Sequence, residues 1–263
     1  MGTSAVEYVC PACKGELRGE GGKLVCPACS LDFSNEGRIP DFATAFQGQE
    51  RPTLMGRAYG AFFNFIAPVY ESWAWYQLTL NLSGARESSI ESIARFVAEV
   101  LDGVEGAILD IACGPATYGR RIVSPQRRVY GVDLSPGMLR QGAALVAREG
   151  RAGVSLARSS AERLPFPASS FDAAICCGSF HLFPDPVGTL REIGRAMKNG
   201  APFALQTFLT GGKEGKGDAR DKIGYHAYEE DELRDRLVSG GFEEVRINRV
   251  GTVLLARSRK AGH

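Results

Sequence analysis

Residues 107–133 read AILDIACGPATYGRRIVSPQRRVYGVD, and their pattern decides the fold. Ile108, Leu109 and Ile111 form a short apolar run suited to a parallel strand buried on both faces. At Gly114 a backbone without a Cβ can turn sharply and come close to a ligand. A helix is predicted from there to about Ile122, followed by a second buried strand, Val129 to Val132, that ends on Asp133. Strand, tight turn, helix and strand make the repeating unit of an α/β sheet, which binds ligands outside the carboxyl ends of its strands. An acidic residue about twenty positions past the first glycine is placed to accept hydrogen bonds from ribose hydroxyls. Asp133 stands at that spacing from Gly114.

Two cofactors suit this stretch. Gly114-Pro115-Ala116-Thr117-Tyr118-Gly119 imitates the dinucleotide fingerprint G-x-G-x-x-G/A, with Ala in the second place. Asp110 argues against it, because a carboxylate at the end of the first strand repels a pyrophosphate. The same carboxylate suits an ammonium group. S-adenosylmethionine (SAM) has an ammonium, a ribose and an adenine, and no phosphate. Asp110-Ile111-Ala112-Cys113-Gly114-Pro115-Ala116 resembles motif I, D-x-x-C-G-x-G, of the class I SAM-dependent methyltransferases. That resemblance implies a Rossmann-like α/β sheet with helices on both faces, and puts Asp110, Ala112, Gly114 and Ala116 around the cofactor. The departure is Ala116 where the family has Gly, which sets an extra methyl group at a close backbone approach to the methionine moiety.

Downstream the resemblance continues. Ser135 caps a helix with Pro136 in its first turn, and Asp133-Leu134-Ser135-Pro136-Gly137-Met138-Leu139 matches the family's D-x-S-x-x-M-L. It implies Asp133 on the ribose hydroxyls and Leu134 and Met138 on the adenine, although Met138 serves equally as core filling. Val154 to Ala157 is the third strand, and Ser160-Ala161-Glu162 resembles the motif that meets the adenine edge. Phe171 to Cys177 is the fourth strand, with Cys177 beside the cofactor. Gly178 to Pro186 resembles the family's H-H-x-x-D-P loop, with Leu182 in the second His position. A helix over about 187–197 and a strand over 203–208 follow, in a pattern similar to E-x-x-R-x-L-K-P-G-G, with Met197, Asn199 and Ala201 as departures. A loop over 209–224, a helix over about 229–237, and a hairpin of 245–248 and 252–256 turned at Gly251 complete the chain.

Working outward to the amino terminus, CPAC at Cys10–Cys13 is repeated at Cys26–Cys29. Each pair can clamp one edge of a tetrahedral ion with a hairpin between them, which reads as a zinc ribbon holding one structural zinc. Two disulfides or a redox C-x-x-C are disfavoured, because neither a secretory signal nor a thioredoxin-like unit surrounds them. From residue 1 to 41 four basic residues face six acidic ones, a net −2, which argues against an RNA-binding ribbon. The bland role is a structural cap on the main domain. A ribbon before this domain resembles the bacterial 23S rRNA guanine-N1 methyltransferases and some plastid methyltransferases. The rRNA enzymes carry a histidine in the metal set, whereas the four candidates here are all cysteines.

Boundaries are expected at 1–42 for the ribbon, 43–58 for a linker, 59–106 for a helical lid and N-terminal helices, and 107–263 for the SAM-binding core. Residues 59–82 are dense in aromatics. Phe63-Asn64-Phe65-Ile66-Ala67-Pro68-Val69-Tyr70-Glu71 resembles the branch that includes the quinone-biosynthesis methyltransferases, which implies that Tyr70 helps close over SAM. Methyl transfer needs a general base only where the nucleophile must lose a proton. His181, after the fourth strand, and His226, after the loop, are the candidates. The net charge of +1 gives no global pull toward nucleic acid or anionic membranes. No signal peptide and no membrane-spanning run is legible, so a cytoplasmic protein is expected. Three functions stand open: methylation of a small, partly apolar molecule at oxygen or carbon, methylation of an rRNA or tRNA base, and SAM binding without methyl transfer. Neither the acceptor atom nor the oligomeric state is legible.

Overall fold

The computed structural model describes residues 5–35, 39–46, 61–72, 89–209 and 227–262. Tyr59, both tryptophans, most of the 209–224 loop, His226 and most of the expected linker lie outside the described residues. Three short antiparallel strands come first: β1 (Arg18–Glu20), β2 (Lys23–Val25) and β3 (Asp32–Ser34). A second sheet holds seven strands in the order β6-β5-β4-β7-β8-β10-β9. These are β4 (Gly106–Ile111), β5 (Arg127–Asp133), β6 (Val154–Arg158), β7 (Ala173–Cys177), β8 (Pro202–Phe208), β9 (Phe242–Val250) and β10 (Val253–Lys260). β4 to β8 pair in parallel, and β10 returns antiparallel between β8 and β9. The order reverses between β4 and β7, and open α/β sheets bind ligands at the carboxyl ends of the strands around such a switch point.

The sheet is buried on both faces. Ile108 joins one apolar cluster with Ile93, Phe96 and Val97 of α1 (Ile90–Val100) and Leu139 of α3 (Pro136–Arg148). Leu109 and Ile111 join the other, with Leu190 and Ile193 of α4 (Pro186–Ala196) and Leu233 and Leu237 of α5 (Glu230–Ser239). The helix expected directly after Gly114 is a single turn, α2 (Gly119–Ile122). Pro115 and the left-handed backbone of Ala116 (φ 57°) keep the intervening residues in turns. The closing hairpin is longer than its apolar residues suggest, because both strands continue past them as ladder partners.

The ribbon and the sheet share one buried cluster. Cys10, Cys26, Phe33, Phe42 and Phe46 belong to the same buried cluster as Tyr130, Val132, Ala157 and Phe166 of the main domain. A module this small cannot enclose a core of its own, and its aromatics fill the sheet face beside β5 and β6. Tyr8 stacks between them, with ring centroids 5.2 Å from Phe42 and 5.5 Å from Phe166.

Candidate cofactor site

Two carboxylates sit at the carboxyl ends of adjacent strands. Asp110 of β4 is 2% exposed, and its Oδ2 accepts from the Gly119 N–H at 3.2 Å. Asp133 ends β5; its Oδ2 accepts from the Gly114 N–H and its Oδ1 from the Ser135 N–H, each at 2.8 Å. One side chain thereby fixes both the turn after β4 and the start of α3. Each carboxylate oxygen keeps lone-pair capacity for a ligand. Burial pushes the Asp110 carboxyl up to about 8, and the neighbouring Asp133 adds repulsion against the pull of the Gly119 N–H. Burial also raises Asp133, against the N–H groups of Ser135 and Gly114. Neither carboxylate has an ion-pair partner among the described residues. An uncompensated pair of this kind favours a cationic ligand.

Ala112, Gly114 and Ala116 all take left-handed backbone, with φ of 50°, 55° and 57°. Ala116 is fully buried, in the cluster with Cys113, Ile122 and Leu139. Its methyl group packs in the layer between the sheet and the helices. A left-handed alanine costs about 1–2 kcal/mol. Glycine there would forfeit about 0.5–1 kcal/mol in chain entropy and about 0.8 kcal/mol of methyl burial. These terms offset. Ala116→Gly is expected to leave the melting temperature within about 3 °C of the native value and SAM affinity unchanged. A large gain in affinity by calorimetry would place the methyl group against the ligand.

The wall beyond Asp133 is apolar. Leu134 is 53% exposed at the mouth, whereas Met138 is 2% exposed and packs on Ile66 and Ala67, with Phe63 and Tyr70 beside them. Residues 61–72 thus form a strap over the start of α3. Asn64 Oδ1 accepts from the Gly137 N–H at 2.7 Å and from the Ser135 hydroxyl at 3.0 Å. Glu71 accepts from the Thr117 hydroxyl and pairs with Arg120, which is 3% exposed and also pairs with Glu149. Ala161 and Glu162 lie half-buried in the turn after β6, where the Glu162 N–H donates to Ser160 Oγ at 3.2 Å. Asn64, Glu71, Arg120 and Arg158 escaped the sequence reading. The only trace of the first two was their place inside the Phe63–Glu71 motif.

Across the cleft, Cys177 ends β7 half-buried, its thiol held up by burial and by Asp110. Ser179 Oγ donates to the Ala112 carbonyl at 3.3 Å, which ties the loop after β7 to the turn after β4. His181 is 5% exposed and sets its ring edge-on to Phe208 at 4.9 Å. His226 lies outside the described residues.

The two CPAC knuckles are near-copies in the backbone. Lys14 and Ser30 have φ of 60° and 56°, and their N–H groups donate to the Cys10 and Cys26 carbonyls. The Sγ atoms of Cys10, Cys13, Cys26 and Cys29 all lie within 4.8 Å of one another, with separations of 3.5, 3.6 and 3.8 Å among them. Zinc–sulfur bonds of about 2.3 Å in a tetrahedron demand sulfurs about 3.8 Å apart, so the donor set fits that ion. All four are free thiols.

Residues 108–200 match the family described as a methyltransferase domain. Over that stretch the chain is similar to methyltransferase domains, and its seven-stranded α/β sheet agrees with a Rossmann-like methyltransferase fold. It is 36% identical over 95 residues to the demethylmenaquinone methyltransferase of Geobacillus kaustophilus, covering 35% of this chain and 41% of that protein. It is 30% identical over 122 residues to an uncharacterized chloroplastic methyltransferase of Arabidopsis thaliana, covering 44% of this chain and 35% of that one. The chain thus spans well under half the length of these curated relatives. Among solved structures, the [4+2]-cyclase SpnF superposes with a TM-score of 0.62 at 17% identity, over 77% of this chain and 96% of its own. That likeness concerns the fold alone. No helix among the described residues is long and apolar enough to cross a membrane.

Proposed function

We propose that this methyltransferase domain binds SAM at the carboxyl ends of β4 and β5 and transfers its methyl group to a small, partly apolar molecule. The observation that carries the reading is the pair of carboxylates at adjacent strand ends, Asp110 buried and Asp133 half-buried, with no cation partner among the described residues. SAM supplies an activated methyl group on a sulfonium, together with an ammonium and a ribose. In this reading Asp110 faces the ammonium, with Ala112, Gly114 and Ala116 shaping the turn around it. Asp133 accepts from the ribose hydroxyls, while Leu134, Met138, Ala161 and Glu162 line the adenine and Cys177 flanks the methyl. Tyr70 closes the strap, and His181 is the proton acceptor wherever the acceptor must lose one. Four cysteines hold one structural zinc.

A small acceptor is supported by the relatives named for demethylmenaquinone methylation and by the aromatic strap beside the mouth. An RNA base is the second reading. Against it, Lys14 is spent on Glu192 and Lys23 on Asp32, so two of the ribbon's cations are already neutralised. Labelled SAM supplied with total RNA and, separately, with a small-molecule extract tests the choice. Label appearing in RNA, in proportion to enzyme, would reverse it.

The carboxylates also give a pH signature. In the free protein Asp110 holds its proton up to about 8, and an ammonium partner would drive it to ionise. SAM binding is therefore expected to release a proton and to tighten as pH rises from 6 to 8, with Asp110→Asn losing both effects. Calorimetry in buffers of different ionisation enthalpy reads the proton directly. Folding runs the opposite way. An unfolded aspartate ionises near about 3.9, so between there and about 8 the folded state binds the extra proton, and the Asp110 contribution to stability falls as pH rises.

A further inference from the structure

The turn after β6 that would carry the adenine-facing Ala161 and Glu162 is held at both ends by the ribbon and its exit. At the far end, the Val9 N–H donates to the Pro165 carbonyl at 3.0 Å. Lys14 Nζ donates to the Leu164 carbonyl at 3.0 Å and to Glu192 at 2.7 Å, and Glu192 in turn accepts from the Leu164 N–H. At the near end, residues 40–42 run beside the edge strand β6 as one further rung. The Arg158 N–H donates to the Pro40 carbonyl and the Phe42 N–H to the Arg158 carbonyl, both at 2.8 Å.

Arg158 is the hinge of this arrangement. It stands in register opposite Asp133. Its Nη1 donates to Asp41 Oδ2 and to Thr44 Oγ1, each at 2.8 Å, while its Nε donates to the Leu134 carbonyl at 2.9 Å. One guanidinium thereby joins the ribbon's exit to the backbone of the residue beside Asp133. A rigid planar fork does this where a single ammonium cannot. We infer that the ribbon is a built-in positioning element for the cofactor site, and that Arg158 is the positioning residue that transmits its hold to the Leu134 wall.

This inference rests on the proposed SAM site, and its test separates the two. Arg158→Lys removes the Nε donor to Leu134 yet leaves a cation that can reach Asp41, whereas Arg158→Met removes both links. SAM and S-adenosylhomocysteine affinities are measured by calorimetry on the full zinc-loaded chain, beside melting temperature and zinc content. Both variants are expected to weaken SAM about fivefold, the scale of one hydrogen bond. Only Arg158→Met is expected to lower the melting temperature, and both should keep their zinc. A merely structural role predicts the opposite for Arg158→Lys, a preserved affinity with preserved stability. Unchanged affinity in both folded variants overturns the positioning role alone. A native chain that binds neither ligand removes the SAM site and this inference together.

Discussion

Asp133→Ala is expected to weaken SAM binding by at least about 1.5 kcal/mol, more than tenfold, the scale of hydrogen bonds to a charged acceptor. In the proposed site the loss has two parts. The carboxylate would no longer accept from the ribose hydroxyls. It would also release the N–H groups of Gly114 and Ser135, which it now holds at 2.8 Å each. Those bonds set the turn after β4 and the start of α3, so the substitution loosens the site as well as removing a ligand. Asp133→Asn separates the parts, because an amide keeps one acceptor oxygen. It should hold part of the fold-stabilising bonds and lose most of the ribose affinity. Calorimetry on folded protein, verified by circular dichroism, reads the result. Native affinity in Asp133→Ala would displace this residue from the ribose.

Cys26→Ser is expected to lower the stability of the whole molecule in one transition. A ribbon with a core of its own would unfold beside an intact main domain. The packing changes that expectation. Cys26 is fully buried, and the ribbon's Phe33 and Phe42, with Phe46 just beyond it, share a cluster with Tyr130, Val132 and Phe166. A structural zinc site in a small module contributes on the order of 10 kcal/mol to folding at neutral pH. Losing even a few kcal/mol of that is worth roughly 10 °C in a chain of this size. Elemental analysis should find one zinc per native chain and a loss in Cys26→Ser. Chelation should shift near-ultraviolet signals from ribbon tyrosine and main-domain aromatics together. Two separate melting steps, with the main one at the native temperature, would return the ribbon to the status of an independent module.

Much of the fold is written locally in the chain. The run Ile108, Leu109, Ile111, the glycine at 114 and the acid at 133 fixed a strand, a turn and a second strand, because burial on both faces leaves an unbroken apolar pattern. Two C-x-x-C pairs fixed a four-thiol cluster for the same local reason, since each knuckle closes within a few residues. What lay beyond local reach was everything set by long-range packing. The left-handed φ of Ala116, buried between sheet and helices, is announced by no neighbouring residue. Arg120 and Glu71, 49 positions apart, and Asp41 and Arg158, 117 apart, are ordinary charges until the fold brings them together. The sequence by itself determined most of the elements and which thiols lie together, because periodicity, turn residues and ligand spacing act over one or two elements. Only the tertiary structure decided that the ribbon and the sheet bury one core, because a small apolar face has to find its cover in whatever the rest of the chain offers.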